Sequence, residues 1–157
     1  MSWSLPLRYG DRMLASSIVG KMREWDRREI FATRANDDTE QFLDDVMNAG
    51  PVKWIAGRED LPIAIYGCKQ MWPGVWSMWF FATDNFGQIG LSVTRRIVRS
   101  IVPMLFANGA HRLECRSMEG HDDAHKWLEQ LGASYESTLK GYGRGGEHFR
   151  AYAWVRR

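Results

Sequence analysis

The sequence predicts an α/β fold in which helices cover both faces of a mixed β-sheet. Residues 75–83, VWSMWFFAT, are apolar at nearly every position, as expected of a strand with both faces covered. A glycine-bearing loop, residues 84–90, leads from this strand into a helix-patterned segment, residues 92–105. Across the whole chain, strand and helix patterns follow the order β-α-α-β-β-β-α-β-α-β-β.

The residue pattern of the N-terminal third predicts one strand and two helices. Residues 2–9 alternate between apolar and other side chains, which indicates a strand. Apolar residues at near-helical spacing predict a first helix from Asp11 to about residue 28. A second helix begins after the capping residues Asp37 and Asp38 and ends at Gly50-Pro51.

The pattern in the rest of the chain predicts six strands and two helices. We expect residues 1–157 to form a single domain. One helix begins near Ser92 as its N-cap and runs to about residue 108, with a kink or break at Pro103. The other follows the capping residues Asp122 and Asp123. The strands are residues 52–56, 61–70, 75–83, 111–118, 133–142 and 148–156.

Charge and composition limit the classes of partner. The 21 basic and 19 acidic residues give a formal net charge of +2, which does not indicate a nucleic-acid-binding protein. The N-terminus lacks the pattern of a signal peptide, and no apolar run is long enough to span a bilayer. We therefore expect a soluble, cytoplasmic protein without a nucleic-acid or membrane partner, in which Cys68 and Cys115 are reduced core thiols.

The loop after the apolar strand predicts a phosphate-binding site. A strand that opens through glycines into a helix leaves backbone N–H groups unpaired at the helix start, where the peptide dipoles add positive charge. The same glycines could serve only the turn, and the arginines that follow could be a solvated helix face. The predicted cofactor-binding residues are Asn85, Phe86, Gly87, Gln88, Ile89, Gly90, Leu91 and Arg95.

The layout and this loop resemble the GNAT superfamily of acyl-CoA-dependent N-acyltransferases. In that family the loop reads roughly Arg/Gln-x-x-Gly-x-Gly/Ala; here Gly87 and Gly90 are three residues apart rather than two. In the segment 121–133, Ala124, Leu131 and Gly132 match the family spacing. The resemblance implies a mostly antiparallel sheet, acetyl-CoA as cofactor and an amine as acyl acceptor.

Two family positions differ in this chain. Leu128 stands where the family commonly has a tyrosine that acts as general acid, and His121 stands where an asparagine is common. Acyl transfer also needs a base to neutralise the incoming ammonium. The catalytic candidates are Asp84 at the end of the apolar strand, Glu114 on the next strand, and Tyr135 as a substitute acid, with Tyr142 as an alternative to Tyr135.

Two hypotheses of function follow. In the first, the chain is an N-acyltransferase with an eroded or rearranged catalytic set. In the second, it resembles the inactive GNAT-like internal virion or assembly proteins of small tailed bacteriophages, which have a protein partner or virion component in place of acyl-CoA. Fold alone does not decide between them.

Two further clusters have structural interpretations that we prefer. His121 and His125 resemble part of an HExxH zinc motif, but Asp122 replaces the glutamate, so we expect neutral surface histidines and no metal. The aromatic residues of strand 75–83 alternate in direction, with Trp76 and Phe80 on one face and Trp79 and Phe81 on the other. We therefore expect most of them in the core.

Overall fold

The computed structural model describes all 157 residues and contains one seven-stranded sheet. The strand order is β1-β2-β3-β4-β5-β7-β6, and every neighbouring pair is antiparallel except β4 and β5. The predicted mixed, mostly antiparallel sheet is confirmed. The strands are β1 (Ser2–Pro6), β2 (Lys53–Arg58), β3 (Leu61–Trp72), β4 (Val75–Ala82), β5 (Arg112–Met118), β6 (Ser134–Leu139) and β7 (Phe149–Val155).

Helices cover both faces of the sheet, also as predicted. None of them combines the length and the apolar character that a membrane-spanning segment needs. The helices are α1 (Arg12–Gly20), α2 (Glu24–Ala32), α3 (Thr39–Met47), α4 (Gly90–Arg96), α5 (Val102–Ala107) and α6 (Asp122–Gln130), with short 3₁₀ helices at Tyr9–Asp11 and Asp84–Gln88.

The sheet separates two hydrophobic cores. Ile55, Ile65 and Phe81 belong to the core that includes α1 and α3. Tyr66 and Ala82 belong to the core on the opposite face, beneath α4 and α6. Because alternate residues of a strand point to opposite faces, each of the central strands β2, β3 and β4 contributes to both cores.

The first predicted helix is in fact two helices, and the reason lies on β4. At residues 21–23 the chain leaves the helical path: Met22 forms an antiparallel bridge with Thr83, and the N–H of Arg23 donates to the carbonyl of Ala82 at 2.9 Å. Apolar spacing continues through this break, so the sequence pattern predicted one helix over residues 11–28. The break sets α2 beside the end of β4.

The helix after β4 also differs from the prediction. It begins at Gly90 with Ile89 as its N-cap and has no side-chain cap, so the prediction of Ser92 as N-cap was wrong. It continues from α4 to α5 through a π-helical turn at Ile97–Ile101, just before Pro103. Proline removes a backbone donor, and the wider turn accommodates that loss without ending the helix.

β4 and β5 are paired only at their first residues. Val75, Trp76 and Ser77 pair in parallel with Arg112, Leu113 and Glu114, and beyond them the two strands diverge. The remaining five residues of β4 and four of β5 therefore line a split in the middle of the sheet.

Candidate active site

The split leaves one edge of β4 open. The amide and carbonyl of Ala82 point to this edge, because its N–H donates to Asp26 Oδ2 and its carbonyl accepts from Arg23. In a strand, residues two apart direct their backbone groups to the same edge. Phe80 therefore directs its N–H and carbonyl into the split, where no strand pairs with it.

A cavity of about 480 Å³ occupies the split. Its volume is within the range of small-molecule binding sites, and most of the residues that line it are apolar. It runs from Trp127 and Leu128 on α6, between the diverging strands, to Glu29 and Ile30 on α2. At the α2 end the lining includes the charged residues Arg23, Asp26 and Glu29.

Glu29 presents one free carboxylate oxygen at that end. Its Oε1 accepts three hydrogen bonds: from Ser117 Oγ at 2.8 Å, from the N–H of Met118 at 2.7 Å and from His121 Nδ1 at 2.9 Å. No donor in the protein contacts Oε2. Three bonds to one oxygen fix the orientation of the carboxylate, and Oε2 can therefore accept a proton or bind a cation.

Asp26, one helical turn before Glu29, is fully engaged. Its side chain is 3% exposed and accepts two hydrogen bonds from Arg23, at 2.9 and 3.0 Å, and one from the N–H of Ala82. Burial raises the pKa of the Asp26 carboxyl, while the Arg23 guanidinium and the Ala82 N–H oppose that rise. Asp26 thus accepts one hydrogen bond from the end of β4, and Glu29 accepts two from the end of β5.

His121 is buried, at 6% exposure, and stacks on Trp25 with ring centroids 5.0 Å apart. Because the Glu29 carboxylate oxygen only accepts, Nδ1 of His121 donates to it. His125 is also buried, and its Nε2 lies 3.1 Å from the carbonyl of Met118. The predicted surface position of both histidines was wrong, because α6 turns the two side chains inward toward the end of β5.

Asp26, Glu29 and His121 also meet the geometric requirement for a metal site, with ligand atoms within 4.8 Å of one another. The guanidinium of Arg23, however, already occupies both oxygens of Asp26. That ion pair balances the buried charge of Asp26 without a metal.

Solved structures of N-acetyltransferases have the same architecture. The chain is similar to the ribosomal-protein-S18-alanine N-acetyltransferase of Escherichia coli, with a TM-score of 0.72 and 15% identity, covering 100% of this chain and 96% of that one. It is similar to the ribosomal-protein-alanine N-acetyltransferase of Brucella melitensis, with a TM-score of 0.71 and 16% identity over 98% and 99% of the two chains. A ribosomal L7/L12 α-N-protein acetyltransferase in complex with coenzyme A gives a TM-score of 0.68 and 10% identity over 99% and 94%.

The chain has the GNAT fold. The predicted resemblance is confirmed at the level of the fold, and these identities carry no more than the fold. No protein-family model matches the sequence, and no curated protein matches it either. The comparisons give no support to the bacteriophage interpretation.

In the GNAT fold of this chain, the loop after β4 forms a 3₁₀ helix, Asp84–Gln88. Asn85, Gly87, Gln88 and Leu91 are exposed, and a Cβ added at Gly87 would meet no atom within 4 Å. Because α4 has no side-chain cap, the N–H groups of its first turn lack side-chain acceptors. The predicted phosphate-binding loop is therefore open to solvent on its backbone side.

Three other predicted cofactor-binding residues have different surroundings from these exposed loop residues. Ile89 is buried, and Arg95 is exposed in the last turn of α4. Phe86 turns into the split, where its ring packs edge-on against Phe80 at 5.0 Å and Trp127 at 5.4 Å. These three rings form one wall of the cavity, and Leu128, at the position of the family tyrosine, lies beside them in the lining.

The three catalytic candidates do not come together. Asp84 is exposed at the end of β4. Glu114 pairs with Arg112 at 2.8 Å and with Arg116 at 3.3 Å. Tyr135 is half-exposed and its hydroxyl bonds Thr138 at 2.7 Å. None of the three lines the cavity, whereas the alternative acid Tyr142 does.

The sequence pattern did not indicate Asp26 and Glu29 as site residues. Both fall in a stretch rich in charged residues, WDRREIF, which reads as the exposed end of an amphipathic helix. The one available signal is the i, i+3 spacing of the two acids, which places them on one helix face. That spacing is common on solvated helices and does not predict burial.

Proposed function

We propose that this protein is an N-acetyltransferase that transfers an acetyl group from acetyl-CoA to an amine, with Glu29 as the base. The observation that supports this most strongly is the free Oε2 of Glu29 at the end of the cavity that crosses the split. A carboxylate in a fixed orientation beside an apolar channel can bind an ammonium group and accept its proton.

The chemistry balances with this single base. The ammonium of the acceptor gives one proton to Glu29 Oε2, directly or through water, and becomes a nucleophilic amine. The nitrogen then attacks the thioester carbonyl carbon, forming a C–N bond while the C–S bond breaks and its electron pair leaves with sulfur. The nitrogen releases its second proton, which neutralises the CoA thiolate. The products are an amide and coenzyme A thiol.

Several features fit acetyl-CoA as the donor. The uncapped start of α4 and the exposed Gly87 offer backbone N–H groups to a pyrophosphate. The open edge of β4 at Phe80 offers a donor and an acceptor to the amides of a pantetheine chain. Acetyl-CoA is then expected to extend along the wall of Phe80, Phe86 and Trp127 toward Glu29.

This assignment gives the catalytic role to α2 and not to the residues proposed from the sequence. Asp84, Glu114 and Tyr135 stay predictions, and the ion pairs of Glu114 make it the weakest candidate for a base. Tyr142, which lines the cavity, is the better candidate for the proton donor that Leu128 cannot provide.

The test is to incubate the protein with acetyl-CoA and a primary amine and to measure both free thiol and acetylated amine. We expect the two products in equal amounts, together with a rise in unfolding temperature when acetyl-CoA alone is added. The absence of both effects at millimolar acetyl-CoA would contradict the proposal. It would favour the alternative, a GNAT-fold protein that acts through protein contacts.

A further inference from the structure

We propose that the acyl acceptor is a primary monoamine with an apolar chain, and that a second cavity beside the site binds that chain. This inference rests on the proposed function, because it concerns the acceptor half of the same site. It follows from the walls around Glu29 and from the charges at the mouth of the second cavity.

Apolar side chains form part of the lining of the cavity at Glu29, together with polar ones such as Thr33 and Arg116. Among the apolar residues Ile30, Trp79 and Phe149, only Trp79 offers a side-chain hydrogen-bond group, its indole N–H. The indole of Trp79 lies over Gly67, where a Cβ would come within 2.5 Å of the ring, so glycine leaves the room that the indole needs.

A second cavity of about 200 Å³ lies beside the first. Ile30, Trp79 and Phe80 line both cavities, so the two cavities adjoin along these three residues. Its other apolar residues are Phe42, Val46, Ala49 and Phe81. A chain attached to an amine at Glu29 would reach this cavity by passing Ile30 and Trp79.

The charges at the second cavity disfavour a second ammonium group. Asp45, the acid in its lining, is paired with Arg34. The ammonium of Lys69 is exposed at the second cavity and would repel a second positive charge.

A peptide acceptor is less suited to the second cavity. Its backbone N–H and carbonyl groups would lose water against Phe42, Val46 and Phe81 and would find few partners there. An alkyl or aryl chain loses only unfavourable contact with water. We therefore expect each methylene that enters the second cavity to raise kcat/KM by about fourfold.

The experiment compares acetylation of a series from ethylamine to octylamine with two polar acceptors. The first is 1,6-diaminohexane, which matches hexylamine in length but carries a second charge. The second is a short peptide with a free N-terminal alanine. We expect kcat/KM to rise with chain length up to a limit, and hexylamine to exceed both polar acceptors at least tenfold.

Filling the second cavity provides the structural control. Ala49→Leu adds side-chain volume to its wall at a half-buried position, so we expect the fold to tolerate it. It should shorten the best chain length. Ala107→Leu, on the exposed end of α5, should leave the whole series unchanged.

The outcomes separate the two proposals. Turnover of ethylamine with a flat chain-length series, or preference for the diamine or the peptide, would overturn the acceptor assignment and leave the acetyltransferase proposal in place. An Ala49→Leu variant that folds but keeps the wild-type series would overturn the role of the second cavity. No turnover of any acceptor and no acetyl-CoA binding would overturn both.

Discussion

His121 Nδ1 lies 2.9 Å from Glu29 Oε1, although the two residues are 92 positions apart in the chain. This bond joins α6 to α2 across the ends of the diverging strands. Ser117 and the N–H of Met118 bond the same oxygen, so β5 also fixes the carboxylate. The base proposed for acetyl transfer is therefore held by three elements of the fold.

Replacing this base should reduce activity far more than stability. In Glu29→Gln the amide oxygen can still accept the three hydrogen bonds, but the side chain can no longer take a proton. We expect kcat/KM for amine acetylation to fall about 10²–10⁴-fold. Glu24→Gln, on the exposed first turn of the same helix, is the matched control and should keep full activity. Equal activities of the two variants would rule out Glu29 as the base.

The Asp26–Arg23 pair should stabilise the folded protein. Asp26→Ala leaves the Arg23 guanidinium without its partner and the Ala82 N–H without an acceptor. We expect the free energy of unfolding to fall by about 3–5 kcal/mol. Urea denaturation measures this, with the exposed Asp60→Ala as a control that should change stability by less than about 0.5 kcal/mol. A loss of less than about 1 kcal/mol for Asp26→Ala would contradict this account of the pair.

His125 should make the protein less stable in mild acid. Burial lowers the pKa of His125 below its ordinary value of 6.5. The unfolded chain therefore takes up a proton as pH falls below about 6.5, while the folded state resists it, so the free energy of unfolding decreases. This loss levels off only below the folded-state pKa.

The measurement is urea denaturation at pH 7.5 and pH 5.5. The wild type should lose stability between the two, and His125→Gln should lose less. The exposed His111→Gln variant should behave like the wild type. An identical pH dependence of all three proteins would show that His125 does not cause the loss.

Neither cysteine should react in the folded state at neutral pH. Burial raises the pKa of Cys68 to about 12 and that of Cys115 to about 12, with the nearby Glu29 charge adding to the effect at Cys115. The thiolate is the reactive form, so iodoacetamide at pH 8 should modify neither residue in the time that fully labels the urea-unfolded chain. Rapid labelling of Cys115 in the folded protein would indicate an activated thiol in the cavity.

The fold was largely predictable because its signals are local. The strand at residues 75–83, the glycine loop and the following helix have clear periodicity, and their order matches the GNAT layout. The positions of Trp79 and Phe81 on one face and Phe80 on the other followed from alternation alone. These patterns depend only on neighbouring residues, so they can be read from the sequence.

The site was not predictable in the same way. The break between α1 and α2 depends on pairing of Met22 with Thr83, which no local pattern contains. Without that break, Asp26 and Glu29 belong to an ordinary charged helix end. The bonds of Glu29 to residues 117, 118 and 121 are long-range contacts that only the folded chain creates.

The proposed function requires that the split between β4 and β5 bind acetyl-CoA with its pyrophosphate on the loop at Gly87. Calorimetric titration of acetyl-CoA measures that binding. The wild type and Gly20→Trp, an exposed position where a Cβ meets no neighbour, should bind one equivalent with the same affinity. Gly87→Trp, equally open in the free protein, should lose that binding. Absence of binding to the wild type at millimolar acetyl-CoA, or equal binding by all three proteins, would rule out this binding site.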